Sequence, residues 1–388
     1  MALKRHRLAA RRKTVGHTQE SLAEKLGVDR TTVVRWERCE SEPQPWVRPR
    51  LADALRVSPD ELGTLLAETQ DAESRHSDRL AVALKKPRTV DLAAVAHLKQ
   101  ELDRLIDSYD VRPSVALLPD ASRLHSDVRF LRKHAAGDAV RRALRNVEAA
   151  ASIFMGQLVW DVSQRRNSQT ALSYFDQAAY TAQQNRDAEA ESQARLRQSY
   201  VTLYSECEPK SGLAQARRAA QLASQCGSHS LSALALLHVG EANAMMGERS
   251  ACERALSQAE SHLSRTEPKD PAKALISAGQ LQRLAGSCYL SLGEPKRAQS
   301  LLGAIPAAIQ DRRKSHAIAL ANLALTHVRQ REIDGATETL HQVIDSIEQT
   351  RGGGAVNVLF TANRELQPWR DRPDVQEVMD RTFALMSS

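Results

Sequence analysis

Aromatic residues are scarce in this 388-residue chain, at 4%. Strand-rich architectures draw on aromatics together with Val, Ile and Thr, so the shortage argues against a sheet protein. Long apolar runs are also missing. The longest, Leu231 to Met246, is broken by His238 and Glu241, which excludes a membrane-spanning helix. The basic stretch from Lys4 to Lys13 has no apolar segment after it and is not a secretory signal. Cysteine occurs five times, at positions 39, 207, 226, 252 and 288, without a Cys-x-x-Cys pair. We read these as reduced thiols of a cytosolic chain, mostly small core residues, with a redox or metal role as the alternative.

Catalytic signatures are absent as well. There is no Gly-x-x-x-x-Gly-Lys loop, no Gly-x-Ser-x-Gly elbow and no His-Glu-x-x-His pair, and the twelve histidines are scattered. No cofactor or metal is expected, and enzymatic activity is not. A lone histidine such as His238, inside an apolar run, reads as a satisfied core residue.

What is present points to helices. Hydrophobic residues make up 42% and charged residues 26%, with abundant Ala, Leu, Gln, Glu and Arg. The length suggests two or three domains. A net charge of +7 and a pI near 9.3 suit a polyanionic partner without establishing one.

The stretch TQESLAEKLGVDRTTVVRWE, Thr18 to Glu37, places Leu22, Ala23 and Leu26, then Val28, Val33 and Trp36, at helical spacing around a turn at Gly27. Thr18 and Asp29 stand where N-caps belong. If Val33 and Trp36 face inward, Arg30, Thr31 and Arg35 face out. Such a helix start suits a DNA major groove, where guanidinium forks reach guanine and threonine touches or bonds base edges. The plain alternative is a solvated polar face. Val34 either meets a thymine methyl or stays partly exposed.

The segment RLAARRKTVGHTQESLAEKLGVDRTTVVRWERCESEP resembles the Xre or lambda-repressor-like helix-turn-helix family over about Leu3 to Leu66. The resemblance implies that Gln19 contacts a phosphate or base edge, that Arg30, Thr31 and Arg35 read bases, and that Thr32 and Arg38 hold the phosphate backbone. It also implies a structural bridge between Arg12 and Glu37. The family usually has glycine after the recognition helix, where this chain has Cys39. Two more helices follow in PWVRPRLADALRVSPDELGTLL, the second opened by Ser58, Pro59 and Glu61, with Trp46 expected in the core.

Residues 67–89 lose the apolar stripe, end in Lys-Lys-Pro-Arg and read as a linker, in part helical. The basic tetrad is solvated charge or an added phosphate contact. Helical periodicity resumes at Val90. Beyond it, VGEANAMMGERSACERALSQA at Val239, AGSCYLSLGEPKRAQSLLGAI at Ala285 and LALTHVRQREIDGATETLHQV at Leu323 superpose without gaps. Gly240 shares a register position with Gly286, as Gly247 does with Gly293. The series Ala171, Ala216, Cys252, Ala298 and Ala336 marks five copies with unequal spacing.

This pattern resembles a degenerate tetratricopeptide repeat. Its inner helices would line a groove faced by Glu241, Met245, Arg283, Ser287, Leu290, Leu325 and Arg329, with cations for an acid and Met and Leu for apolar groups. The alternative is ordinary solenoid surface. The RGGG at Arg351 reads as a hinge or turn. Leu385 and Met386 then belong to a terminal cap or a dimer contact, with Trp369 packed beneath it.

The sequence therefore predicts an all-α protein: residues 1–66 a five-helix helix-turn-helix domain, 67–89 a linker, 90–350 a tetratricopeptide-like α-solenoid for sensing and dimerisation, and 351–388 capping helices. The resemblance implies a cytoplasmic, bacterial, homodimeric regulator that binds double-stranded DNA and responds to a peptide or small molecule. The Ala- and Arg-rich composition agrees with a GC-rich bacterial genome. The alternative is an interaction adaptor tethered to DNA and governed by a partner protein.

Overall fold

In the computed structural model, which describes residues 5–38, 40–163, 167–303, 305, 313–350 and 354–387, every described regular element is helical. The chain divides into two compact units, Met1–Gln100 and Glu101–Ser388.

The first unit begins with α1 (His6–Thr14), α2 (Gln19–Leu26) and α3 (Arg30–Glu37). Thr18 caps α2 through a reciprocal pair with Ser21, and Gly27 closes the helix at φ 70°, a left-handed conformation that costs glycine least. Asp29 occupies the N-cap of α3 with extended backbone, but its carboxylate accepts no cap hydrogen bond. Then come α4 (Arg48–Leu55) and α5 (Pro59–Lys85), the latter opened by the Ser58–Glu61 capping box. Leu22, Leu26, Val33, Trp36, Leu51, Leu55 and Leu62 form one core.

Two expectations need correcting here. Trp46 is 74% exposed, because Pro43 and Val47 take the inward positions of that turn. The stretch read as a linker is mostly helix: α5 continues through it to Lys85 and a short 3₁₀ turn covers Pro87–Thr89. Ala, Glu, Arg and Leu sustain a helix without a regular apolar stripe, and the helix stops where Pro87 restricts the residue before it. Cys39, whose substitution for glycine the sequence flagged, lies outside the described residues, as do Arg351 to Gly353 of the RGGG hinge.

The boundary between the units falls within α6 (Leu92–Asp107). The second unit continues with α7 (Ser114–His134) and α8 (Asp138–Val162), then α9 (Ser168–Gln184), α10 (Ala188–Tyr204), α11 (Pro209–Gln225), α12 (His229–Met245) and α13 (Arg249–Leu263). After a 3₁₀ turn at Pro271–Leu275 follow α14 (Gln280–Ser291), α15 (Pro295–Leu302), α16 (Arg313–Gln330), α17 (Ile333–Thr350), α18 (Ala355–Glu365) and α19 (Pro373–Ser387). From α8 onward consecutive helices pack as hairpins, each against the next, in a tetratricopeptide-like stack.

The repeat register has a steric basis. A Cβ on Gly286 of α14 would sit 2.7 Å from Leu302 Cγ on α15, one on Gly240 of α12 3.3 Å from Leu256 of α13, and one on Gly156 of α8 2.5 Å from Phe175 of α9. In the α10–α11 pair the roles reverse: Gly212 of α11 receives Leu203 of α10. Small against large residues thus set the helix approach in each pair. Gly286→Ala is expected to destabilise the second unit by about 1–3 kcal/mol despite alanine's better helix propensity. Adding Leu302→Ala should cost less than the two single changes summed, as read by urea unfolding.

The turns share a feature too. Gly247 and Gly293 have φ of 78° and 77°, and Arg331 takes the same left-handed place in its copy at φ 62°. At the C-terminus Val375 and Val378 are fully buried, while Trp369 and Leu385 pack partly buried against the same cluster, so α19 covers the last hairpin. Met386 lies outside the described side chains. Cys252 and Cys288 are buried, whereas Cys207 and Cys226 are exposed, so the core reading of cysteine applies to only half of these four.

One buried group makes this unit sensitive to acid. His125 of α7 bonds Ser152 Oγ at 3.0 Å, and burial, with the nearby Arg129 charge, pushes its pKa down to about 4. The unfolded chain binds this proton at higher pH, so the histidine's contribution is complete above pH 6.5 and is lost as pH falls towards 4. Wild type should lose up to about 3 kcal/mol more than His125→Leu between those values, in unfolding followed by denaturant.

Candidate functional site

Two sites stand out, one in each unit. In the first, Glu37 ties three helices together: it accepts from Arg12 Nε at 2.6 Å and from Gln19 Nε2 at 2.7 Å, joining the ends of α1, α2 and α3. The Arg12–Glu37 pair is buried on both sides. This fixes Gln19, half-buried, at the first turn of α2, and it presents the opposite side of α3 to solvent.

On that side Arg30, Thr31 and Arg35 are exposed, Thr32 and Val34 are half-exposed, and Arg38 is exposed at the helix end. Arg35 makes no hydrogen bond or ion pair among the described residues. Arg30 lies against Glu20 at 2.5 Å, and Arg38 is 3.8 Å from Glu40. Both pairs are solvent-exposed and therefore weak, and neither holds its arginine away from a bidentate guanine contact. The competition favours the base.

The second unit encloses a cavity of about 800 Å³. Its wall is built from the inner helices α8, α10, α12, α14, α16 and α18, together with the loop after α6. All seven residues that the repeat register placed on the groove stand on it: Glu241, Met245, Arg283, Ser287, Leu290, Leu325 and Arg329. Their chemistry differs. Leu290 and Leu325 are themselves nearly buried, and Met245 is 38% exposed. Arg329 is held by the protein, paired with both Glu365 oxygens and donating to the Leu290 carbonyl at 2.6 Å.

Glu241 sits at the centre of a buried cluster. His238 Nδ1 lies 2.8 Å from its carboxylate, and Tyr204 Oη and Ser287 also donate to it. Burial alone would raise the Glu241 pKa, but these hydrogen bonds and the His238 charge outweigh it and hold the carboxyl below its usual range. Burial and the Glu241 carboxylate push the Tyr204 hydroxyl well above its ordinary range. Tyr200 packs its ring 4.2 Å from that of His238. His238 is therefore buried and satisfied, as the sequence suggested, and it also lines the cavity.

Several wall residues escaped the sequence reading, chiefly Tyr109, Phe154, Gln157, Trp160, Arg197, Tyr200 and Lys314. Lys314 of α16 is nearly inaccessible. It donates to Ser114 Oγ of α7 at 2.7 Å, covers the Tyr109 ring at 3.7 Å and lies 3.9 Å from Asp161 of α8. Asp161 also accepts from Tyr109 Oη at 2.6 Å and Ser114 Oγ at 3.0 Å. Asn357 of α18 donates to the Tyr204 carbonyl at 3.0 Å. The last inner helices are thus bonded to the first across the cavity. A helical spacing signal was available at Ile153, Gln157 and Trp160 and at Tyr200 and Tyr204, but no repeat alignment reached α8.

Residues 8–62 match the helix-turn-helix family. The N-terminal domain is a helix-turn-helix domain. No curated protein matches the chain in sequence. Solved structures that resemble it include a Rap protein complexed with competence and sporulation factor, at 11% identity and a TM-score of 0.46, spanning 76% of this chain and 98% of that one. Another is Bacillus thuringiensis PlcR in complex with the peptide PapR7 and DNA, at 16% identity and a TM-score of 0.33, spanning 67% of this chain and 94% of that one. The helix-turn-helix match spans α1 to the start of α5, so it contains Gln19 and the whole exposed face of α3. Among the described residues no helix is long and apolar enough to cross a membrane, and no cluster of three or more metal-ligating side chains occurs.

Proposed function

We propose that the protein is a cytoplasmic, sequence-specific DNA-binding regulator of transcription whose second unit senses a peptide or small molecule and forms a homodimer. The observation that carries this reading is the exposed face of α3: Arg30, Thr31 and Arg35 project from a helix-turn-helix domain whose Glu37 hub keeps the recognition helix in place. One such helix covers only a few base pairs. Two, in a dimer, would read half-sites roughly 34–36 Å apart.

The cavity supports a sensing role. A walled space of about 800 Å³ with charged, aromatic and apolar groups is in the usual range for small-molecule sites. Occupancy would regulate DNA binding only if the effector favoured one arrangement of the dimer over another. Selection of bound duplex from a random pool at fixed salt tests the reader. A motif with two related half-sites is the expected result; retention of DNA without any enriched sequence rejects it.

A further inference from the structure

The cavity wall is uneven in charge. Arg329 is neutralised by Glu365, and Lys314 lies beside Asp161. Two guanidinium groups, Arg197 of α10 and Arg283 of α14, share the wall with Asp107 and Asp110 at the end of α6 and the loop after it, and with Glu241 of α12, which is already occupied by His238, Tyr204 and Ser287. Arg197 donates to Gln157 Oε1 at 3.0 Å and lies over the Tyr200 ring. Arg283 is different: its Nε is buried without a hydrogen-bond partner, and the guanidinium forms no ion pair among the described residues. A buried donor left unpaired is destabilising, a penalty that a bound acceptor removes.

The wall is uneven in shape chemistry too. Of the chain's four Trp, six Tyr and five Phe, a third stand on this cavity, Phe154, Tyr200 and Tyr204 among them. Amide side chains that would grip a peptide backbone are in part engaged elsewhere. The amide NH₂ groups of Gln157 and Asn357 serve Tyr109 and the Tyr204 carbonyl, and that of Asn322 serves the Ile318 carbonyl of its own helix.

We infer that the cavity receives a small organic monoanion, with its carboxylate or similar acid group on Arg283 and a ring-bearing apolar body against Phe154, Tyr200 and Tyr204. This deepens the sensing role proposed above and rests on it for its regulatory meaning, though not for the binding itself. Arg283 supplies the charge and the unsatisfied donor, and the aromatic wall supplies the apolar contact. A neutral molecule of the same shape leaves the guanidinium unpaired and binds more weakly.

The test uses the full chain and two probes of like shape, 8-anilinonaphthalene-1-sulfonate and the uncharged N-phenyl-1-naphthylamine, titrated by calorimetry and fluorescence. Wild type should bind the sulfonate one to one and at least tenfold more tightly than the neutral amine. Arg283→Met should lose about tenfold for the sulfonate and less than twofold for the amine, and Arg283→Lys should recover part of the loss. Equal affinity of wild type for both probes, or unchanged sulfonate binding in Arg283→Met with a native melting curve, overturns the inference. So does displacement of the sulfonate by end-blocked hexapeptides where aryl carboxylates fail. Duplex selection run in parallel separates the outcomes: loss of a DNA motif refutes the reader and leaves the anion site standing, and the reverse result refutes only the site.

Discussion

Replacing Arg30 and Arg35 together by alanine is expected to abolish base selection while leaving the helix-turn-helix domain folded. Both side chains are exposed and neither contributes to the core of Leu22, Val33, Trp36 and Leu51, so stability should change by no more than about 0.5 kcal/mol. Each guanidinium that forks onto a guanine contributes roughly 1–3 kcal/mol of discrimination, so losing both should flatten preference for the motif by about 30-fold to 10⁴-fold. Affinity for random DNA should fall much less, because the proposed phosphate contacts of Thr32, Arg38 and the other basic groups are left in place. The comparison needs one salt concentration throughout, since the phosphate contribution falls steeply with salt. A double variant that still enriches the wild-type motif would show that α3 is not the reading element.

The second large effect is expected at Lys314. Lys314→Ala leaves Asp161 buried with its hydrogen bonds from Tyr109, Ser114 and Gln157 but without the ammonium. Removing one partner of a buried ion pair typically costs about 3–5 kcal/mol, so the second unit should unfold at much lower urea. Lys314→Met combined with Asp161→Asn should recover most of that loss. Methionine keeps a favourable contact with the Tyr109 ring, asparagine still accepts from Tyr109 and Ser114, and no charge is left buried. If the single change costs less than about 1 kcal/mol, the ammonium is not what holds α16 to α7 and α8.

Much of this architecture is legible in the sequence because it rests on local rules. The capping residues Thr18 and Ser58, the left-handed Gly27 and the three-and-four spacing of Leu22, Val33 and Trp36 act within a few residues, and each appears where the pattern places it. The repeat register is legible for a related reason: Gly240 with Leu256 and Gly286 with Leu302 repeat one steric arrangement at one spacing. At α10–α11 Leu203 and Gly212 exchange sides, so that copy is legible from the small residue Ala216 and not from the glycine–leucine spacing. Trp46 misleads because its size suggests burial, whereas the turn spends its inward position on Val47.

The groove residues are found by register but not their chemistry. Nothing in the sequence around Arg329 shows that Glu365 will neutralise it, or that Arg283 will be left with a buried, unpaired Nε. Such facts depend on pairings between helices far apart in the chain.

The bonds across the cavity have a consequence for synthesis. Lys314 and Ser114 are 200 residues apart, and Asn357 and Tyr204 are 153 apart. In an open solenoid each hairpin finishes its contacts with the next, so the chain can fold behind the ribosome as it emerges. Here, at about 5–20 residues per second, Ser114 and Asp161 wait on the order of 10–40 s for the residue that completes their cluster. The early hairpins therefore spend that interval as an unfinished surface, and a chain that stops before Lys314 never completes it.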